Sequence, residues 1–232
     1  MSYYPIFIEL EGKKILVIGG GRVAQRKIET FLEFGALIDV ISRKLTKKLK
    51  TLVESGRIRH IGIEYNEIYL KDAFIIIIAT DDKKLNHEIS RSARKSGVLT
   101  NTVDQPSDCD FIVPSIVRKG ELLIAVSTSG KSPALAKKIR KELSCQFGRE
   151  YDSLLSIMGD IRKEVLKKGL SQDENKRVFD KIINSEILDA LARNDHLQIE
   201  EILTNALPSE LSLDQCLKHR VGVRRLKPLK HK

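Results

Sequence analysis

The residues best suited to chemistry stand near the start of the chain, in the run Gly19-Gly20-Gly21-Arg22-Val23-Ala24. This is the pattern G-x-G-x-x-A. Gly19 permits a tight turn, Gly21 lets the backbone come close to a pyrophosphate, and Ala24 lets a helix pack closely on the strand before it. The N–H groups at the start of that helix, around Arg22 and Val23, can then receive an anion. Glycine triplets also make ordinary turns, so context decides. Here an apolar strand precedes the triplet, helical spacing follows it, and a second strand arrives on schedule, which is the setting a dinucleotide loop requires. The pattern predicts NAD or NADP as cofactor. The acid expected roughly 20 residues on, to bind the ribose hydroxyls, is absent from the end of the second strand. Asp39 lies inside that strand, and its end reads Ser42-Arg43-Lys44. Ser42 can bond a ribose hydroxyl, and Arg43 can stack on adenine or hold a 2′-phosphate beside Lys44. Spacing alone does not separate NAD from NADP. Ala79 and Thr80 close another strand on the same side and join the expected cofactor site.

A proton-handling carboxylate is expected among Asp104, Asp108 and Asp110, and Asp104 stands just past the strand 98–103, where open α/β sheets bind ligands. A carboxylate there can take a proton as general base. Asp also caps turns, and Pro106 follows closely. Asp108 and Asp110 compete with Asp104 for the role. Ser127-Thr128-Ser129-Gly130-Lys131 is a small-residue loop leading into a helix N-terminus, suited to carboxylates and equally to a plain strand-to-helix turn. With Ala125 at its head the same stretch nearly spells a Walker A loop, G-x-x-x-x-G-K-S. Pro133 follows at once and a Mg²⁺-binding acid is missing, so a phosphoryl-transfer reading at Lys131 is a near-miss. The five histidines show no metal-ligand spacing, and no metal site is expected.

The elements that must position these residues alternate. Strands are expected at 14–18, 37–41, 59–65, 74–79 and 98–103, with helices at 23–34, 45–53 and 84–95 between them. That rhythm argues for a parallel sheet covered on both faces. Two strands, 111–117 and 121–127, then read as a hairpin. It is apolar on both sides of its turn and so needs a partner. Ser132-Pro133 opens a helix with Leu135, Ile139 and Leu143 on one face. From 151 to about 207 the chain reads helical, with a capping box at Ser171 and Glu174. The fold class is α/β: an N-terminal Rossmann domain, a small α+β segment and a helical C-terminal domain.

Composition is that of a globular protein: of 232 residues, 41% are hydrophobic and 31% charged. The longest apolar run is too short to span a bilayer. No basic start with a long apolar stretch marks a signal peptide, and a cytoplasmic protein is expected. Cys109, Cys145 and Cys216 form no disulfide framework. The net charge of +10 comes mostly from a tail, 218–232, that holds Lys and Arg but no acid. Without a nucleic-acid motif, and with no Trp for base stacking, nucleic acid and membrane are not expected partners.

Several motifs stand in register: Pro5-Ile6-Phe7; Gly19 through Lys27; Ala79-Thr80-Asp81-Asp82 with Asn86; Asn101-Thr102-Val103-Asp104; 111–115; and 127–133. In this order they resemble the siroheme synthase family, comprising precorrin-2 dehydrogenases and sirohydrochlorin ferrochelatases. The likeness is strong over about 5–143 and only generally helical beyond 151. It implies oxidation of precorrin-2 to sirohydrochlorin with NAD. Some members also insert ferrous iron as a second substrate and others only dehydrogenate, and both readings stay open. The resemblance puts the family's key aspartate on Asp104 and implies a homodimer whose contacts come from the middle segment. The implied domains are an NAD-binding domain at 1–113, a dimerisation segment at 114–149, a helical domain at 150–217 and a basic tail at 218–232. An NAD-sensing regulatory module is the alternative from another class. It would use the glycine loop but has no need of Asp104.

Overall fold

The computed structural model describes residues 3–208 and Leu211. The basic tail, Cys216, His219 and His231 lie outside the described residues. The chain divides into two compact units, Met1–Val113 and the stretch from Pro114 onward.

In the first unit, five strands form one parallel sheet: β1 (Lys14–Ile18), β2 (Leu37–Ile41), β3 (Arg59–Gly62), β4 (Ile75–Ile78) and β5 (Leu99–Thr102). Their order is β3-β2-β1-β4-β5. The helices are α1 (Arg22–Leu32), α2 (Lys47–Glu54) and α3 (Lys83–Lys95). Alternation along each strand sends side chains to two cores. Ile15, Val17, Ile38, Val40, Ile75 and Ile77 meet Ala24, Ile28 and Phe31 of α1 and Leu49 and Leu52 of α2. Leu16, Ile18, Ile41, Ile76 and Ile78 meet Ile89 and Ala93 of α3. Each buried Ile or Leu contributes about 1.5–3 kcal/mol relative to exposure. The order in which the parallel strands are added reverses between β1 and β4, so the crevice at their carboxyl ends is the topological switch point where such sheets bind ligands.

The second unit begins with the antiparallel hairpin β6 (Ser115–Lys119) and β7 (Leu122–Val126), followed by α4 (Pro133–Gln146) and α5 (Arg149–Lys167). The hairpin is shorter than the expected 111–127. Phe111 and Val113 pack on the first unit's core, and the Phe111 carbonyl accepts from Asn101 Nδ2 at 2.8 Å. An apolar run shows that it will be buried, but not in which core. Helices α6 (Gln172–Ile183), α7 (Ile187–Arg193) and α8 (His196–Ala206) complete a bundle with α5. Its core holds Leu154, Ile157, Ile161, Val165, Val178, Ile182, Ile187, Ala190 and Leu203. The expected capping box at Ser171 and Glu174 is present, and hydrogen bonds from Ser171 hold the Glu174 carboxyl below its ordinary pKa. The stretches 114–149 and 150–208 lie in one compact unit. Asp152 of α5 packs against Gly120 in the hairpin turn and accepts from the Glu121 N–H.

Candidate functional site

The glycine loop joins β1 to α1 at the switch point, and each glycine meets a different demand. Gly19 has φ +119, and a Cβ there would stand 2.3 Å from the Ala79 carbonyl oxygen. The ends of β1 and β4 therefore touch through a missing side chain. At Gly20 a Cβ would fall 2.2 Å from the Lys44 carbonyl oxygen, and the Gly20 carbonyl accepts from Thr46 N–H at 3.0 Å. Gly21 differs from both: nothing lies within 4 Å of its would-be Cβ, and its φ of −80 suits any residue. A glycine that neither the backbone nor a neighbour requires leaves open space beside the helix it begins.

Helix α1 has no side-chain cap and no acid in its first turn. Arg22 instead places a cation at the positive end of the helix dipole, an unfavourable arrangement that an anion there would relieve. By contrast α3 is capped by Asp82, which accepts from Lys84 and Leu85 N–H. The uncapped N–H groups, the open side of Gly21 and the Arg22 charge together fit a dinucleotide pyrophosphate. Val23, on the same first turn, is 40% exposed despite being apolar, which leaves it available to cover a ligand.

Ser42, Arg43 and Lys44 follow β2 on the same edge. The Ser42 hydroxyl donates to the Lys44 carbonyl at 2.8 Å, so it serves the turn rather than standing free. Asp39 points into the sheet, 4% exposed, and both its oxygens accept from Arg59 at 2.7 Å. Those bonds hold the Arg59 guanidinium proton more tightly than usual. Arg43 pairs with Glu64, just past β3, at 2.6 Å. At the end of β4, Ala79 lies against Gly19 and Thr80 is locked to Asn86: the Thr80 hydroxyl donates to Asn86 Oδ1, and Asn86 Nδ2 donates back to the Thr80 carbonyl at 3.0 Å.

Asp104 has φ +58 and is exposed. Its rivals are committed elsewhere. Asp108 is buried at 3% exposure, with both oxygens 3.0 Å from His87 Nδ1. Asp110 accepts from Thr100 N–H and from Arg94 Nε, each at 2.9 Å. The loop around Asp104 is held on both sides. Thr102 N–H donates to Cys109 Sγ at 3.2 Å, Thr102 Oγ1 donates to the Asp108 carbonyl at 3.2 Å, and Gln105 Nε2 donates to the Lys83 carbonyl at 3.3 Å. Burial pushes the Cys109 thiol above its ordinary pKa. Lys27 reaches from α1 to β5, where its Nζ donates to Asn101 Oδ1 at 2.9 Å. Burial, and then repulsion from Arg26, lower its pKa. Lys27, Asn86, Asn101 and Glu64 are not among the expected site residues. The first three stand in the register of motifs, where they could have been found, but Glu64 carries no such mark.

The loop Ser127–Lys131 belongs to the second unit. Its hydroxyls turn inward: Ser127 Oγ accepts from Ser129 N–H at 3.0 Å and Thr128 Oγ1 from Ser132 N–H at 3.1 Å. Ser129 and Gly130 both have positive φ, and Lys131 is exposed. The strand before this loop is antiparallel to its neighbour, unlike the parallel setting of a phosphate-binding loop. Among the described residues no cluster of three or more His, Cys, Asp or Glu could hold a metal ion. Nor is any helix among them long and apolar enough to cross a membrane.

An NAD(P)-binding family model matches residues 6–115, and a model for the sirohaem biosynthesis protein central region matches 119–144. A siroheme synthase of Photorhabdus laumondii is 34% identical over 207 residues, covering 89% of this chain and 44% of the relative. One from Actinobacillus succinogenes is 32% identical over 222 residues, covering 96% and 45%. The chain thus spans less than half the length of these curated relatives. A solved structure described as SirC, precorrin-2 dehydrogenase, superposes with TM-score 0.70 at 26% identity, covering 88% of this chain and 98% of that one.

Proposed function

Because the chain belongs to the siroheme synthase family and carries its NAD(P)-binding and central segments, we propose that it oxidises precorrin-2 to sirohydrochlorin with NAD. The observation that carries the reading is the shared carboxyl edge. It holds an uncapped α1 behind the open Gly21 and, past β5, an exposed carboxylate at Asp104. Bound NAD would supply the hydride acceptor. The residues that would hold it are Gly19, Gly21, Arg22, Val23 and Ala24 at the pyrophosphate, Ser42, Arg43 and Lys44 at the adenosine end, and Ala79 and Thr80 beside the crevice. Precorrin-2 gives up a hydride and a proton. Asp104 is the base for that proton, because Asp108 and Asp110 are spent on His87 and Arg94.

The polyanionic tetrapyrrole needs cationic and N–H donors. In this reading Ser127, Thr128, Ser129, Gly130 and Lys131 contribute through Lys131 and the backbone, since the Ser127 and Thr128 hydroxyls already accept bonds from within the loop. The active species is a homodimer joined through the 114–149 segment. In support, of the apolar hairpin and α4 only Val117 and Ala136 are buried in the single chain, and Leu135 on the expected apolar face of α4 is 47% exposed. A purely NAD-sensing module would leave Asp104 and the likeness to a precorrin-2 dehydrogenase unexplained.

The test is anaerobic incubation with precorrin-2 and NAD, following NADH absorbance and the tetrapyrrole spectrum together. Equimolar NADH and sirohydrochlorin are expected. NAD binding without turnover would refute the proposal. Ferrous iron added to the same vessel reads the metal-insertion activity that some family members carry.

A further inference from the structure

The end of β2 poses a problem that the dinucleotide reading leaves unsolved. An NAD site of this fold places an acid there for the ribose hydroxyls, while an Arg nearby accommodates a 2′-phosphate. This chain has no acid at that end and has Arg43 and Lys44 instead. Asp39 is locked to Arg59 and the Ser42 hydroxyl is turned onto the Lys44 carbonyl. An acid, Glu64, does stand nearby, two residues past the end of the neighbouring strand β3. Ser42 N–H donates to the Gly62 carbonyl at 3.0 Å, and His60 Nε2 lies 2.9 Å from the Ser42 carbonyl. These contacts hold the ends of β2 and β3 side by side. Just beyond them Glu64 Oε1 accepts from Arg43 at 2.6 Å, with both side chains largely exposed. The contact uses one carboxylate oxygen and leaves the other to accept from a ribose hydroxyl.

We infer that the Arg43–Glu64 pair decides which dinucleotide the site accepts, with Glu64 standing in for the acid missing from β2. The inference rests on the dinucleotide reading of the glycine loop. Glu64 neutralises Arg43, accepts from the unphosphorylated ribose and repels a 2′-phosphate. Without it, Arg43 and Lys44 become a phosphate site, because a guanidinium and an ammonium side by side favour a dianion. The pair is exposed and so contributes little to stability, which leaves it open to selection by what it binds.

The experiment is calorimetric titration of the wild-type chain, Glu64→Gln, and the double variant Arg43→Ala/Glu64→Gln with NAD and with NADP. Glu64→Gln should tighten NADP about tenfold, the scale of one charge-assisted hydrogen bond, and weaken NAD severalfold. The double variant should lose the NADP gain, and the gain should shrink in high salt. Affinities for the two dinucleotides that move in the same direction, or that do not move, overturn the inference while leaving the glycine-loop reading intact. A wild-type chain that binds neither dinucleotide overturns both. Unchanged melting temperatures establish that the variants are folded.

Discussion

Gly19 and Gly21 stand two residues apart in one loop, and the same class of substitution should damage them in opposite ways. At Gly19 a Cβ meets the Ala79 carbonyl oxygen at 2.3 Å and its carbon at 2.9 Å, with φ at +119. The backbone strain costs about 1–3 kcal/mol, and the displacement of a packed neighbour about 1–3 kcal/mol more. Gly19→Ala should therefore lose about 2–6 kcal/mol, which for a unit of this size lowers the melting temperature by roughly 10 °C or more. At Gly21 nothing lies within 4 Å and φ is −80, so Gly21→Val should cost about 1 kcal/mol at most, the loss of a favoured N-cap residue. Its branched side chain would instead fill the space in front of the α1 N-terminus. Displacing a pyrophosphate from even one N–H removes a charge-assisted hydrogen bond of about 1.5–3 kcal/mol, a loss of tenfold to about a hundredfold in NAD affinity. Differential scanning calorimetry and isothermal titration on both variants separate the effects. Wild-type NAD affinity in Gly21→Val would refute the placement of the pyrophosphate. A wild-type melting temperature in Gly19→Ala would refute the packing argument.

Asp104→Asn keeps the side-chain shape and tolerates the positive φ, so single-turnover oxidation of precorrin-2 should fall by about 10²–10⁴-fold, the contribution of a positioned general base, with NAD affinity unchanged. Asp108→Asn and Asp110→Asn should lower the melting temperature more than the rate, and the reverse pattern would count against Asp104. Lys27 has a pKa lowered by burial, so the unfolded chain holds its proton to higher pH than the folded chain does. Stability should rise with pH between the folded pKa and the ordinary lysine value. Urea midpoints at about pH 8 and about pH 10 should show that rise in wild type and its loss in Lys27→Met; equal slopes would refute it. Light scattering at micromolar concentration should give a dimer, and a monomer would count against the shared hairpin.

The middle of the sheet is legible in the sequence because β1, β2 and β4 are short, mostly apolar runs stopped by glycine or a polar residue, whereas β3 (Arg59–Gly62) and β5 (Leu99–Thr102) are mostly polar and are read from the alternating rhythm. Ile75–Ile78 can hardly be anything but a doubly covered strand. The glycine loop is legible for the same reason, since its chemistry is local. What hides is whatever depends on a partner brought near by topology. Asp39 in an apolar strand looks anomalous until Arg59 arrives on the neighbouring strand. Glu64 carries no local signature, and its meaning comes from Arg43 across the strand ends. The stretch 111–113 reads as a strand because periodicity reports burial without naming the core. Position after a strand leaves Asp104 level with Asp108 and Asp110, and only the family resemblance singles it out. That Asp108 and Asp110 are already engaged can be learned only from His87 and Arg94.

The place of β1 in the middle of the sheet also governs how the protein is made. β1 pairs with β2 through Ile15↔Ile38 and with β4 through Ile15↔Ile75. The first pairing closes a short loop, but the second waits until a ribosome has delivered the whole intervening β2-α2-β3 stretch. Until then one edge of β1 is bare, and the emerging Ile75–Ile78 is an apolar segment without a cover. Parallel pairings across long separations are slow to form and exposed to aggregation meanwhile. The nascent chain should thus pass through a stage in which β1-α1-β2 is formed and the α3 face is open. Pulse-labelling hydrogen exchange during refolding would see the β1 and β2 amides protected before those of β4 and β5, whereas simultaneous protection would mean that the sheet closes in one step.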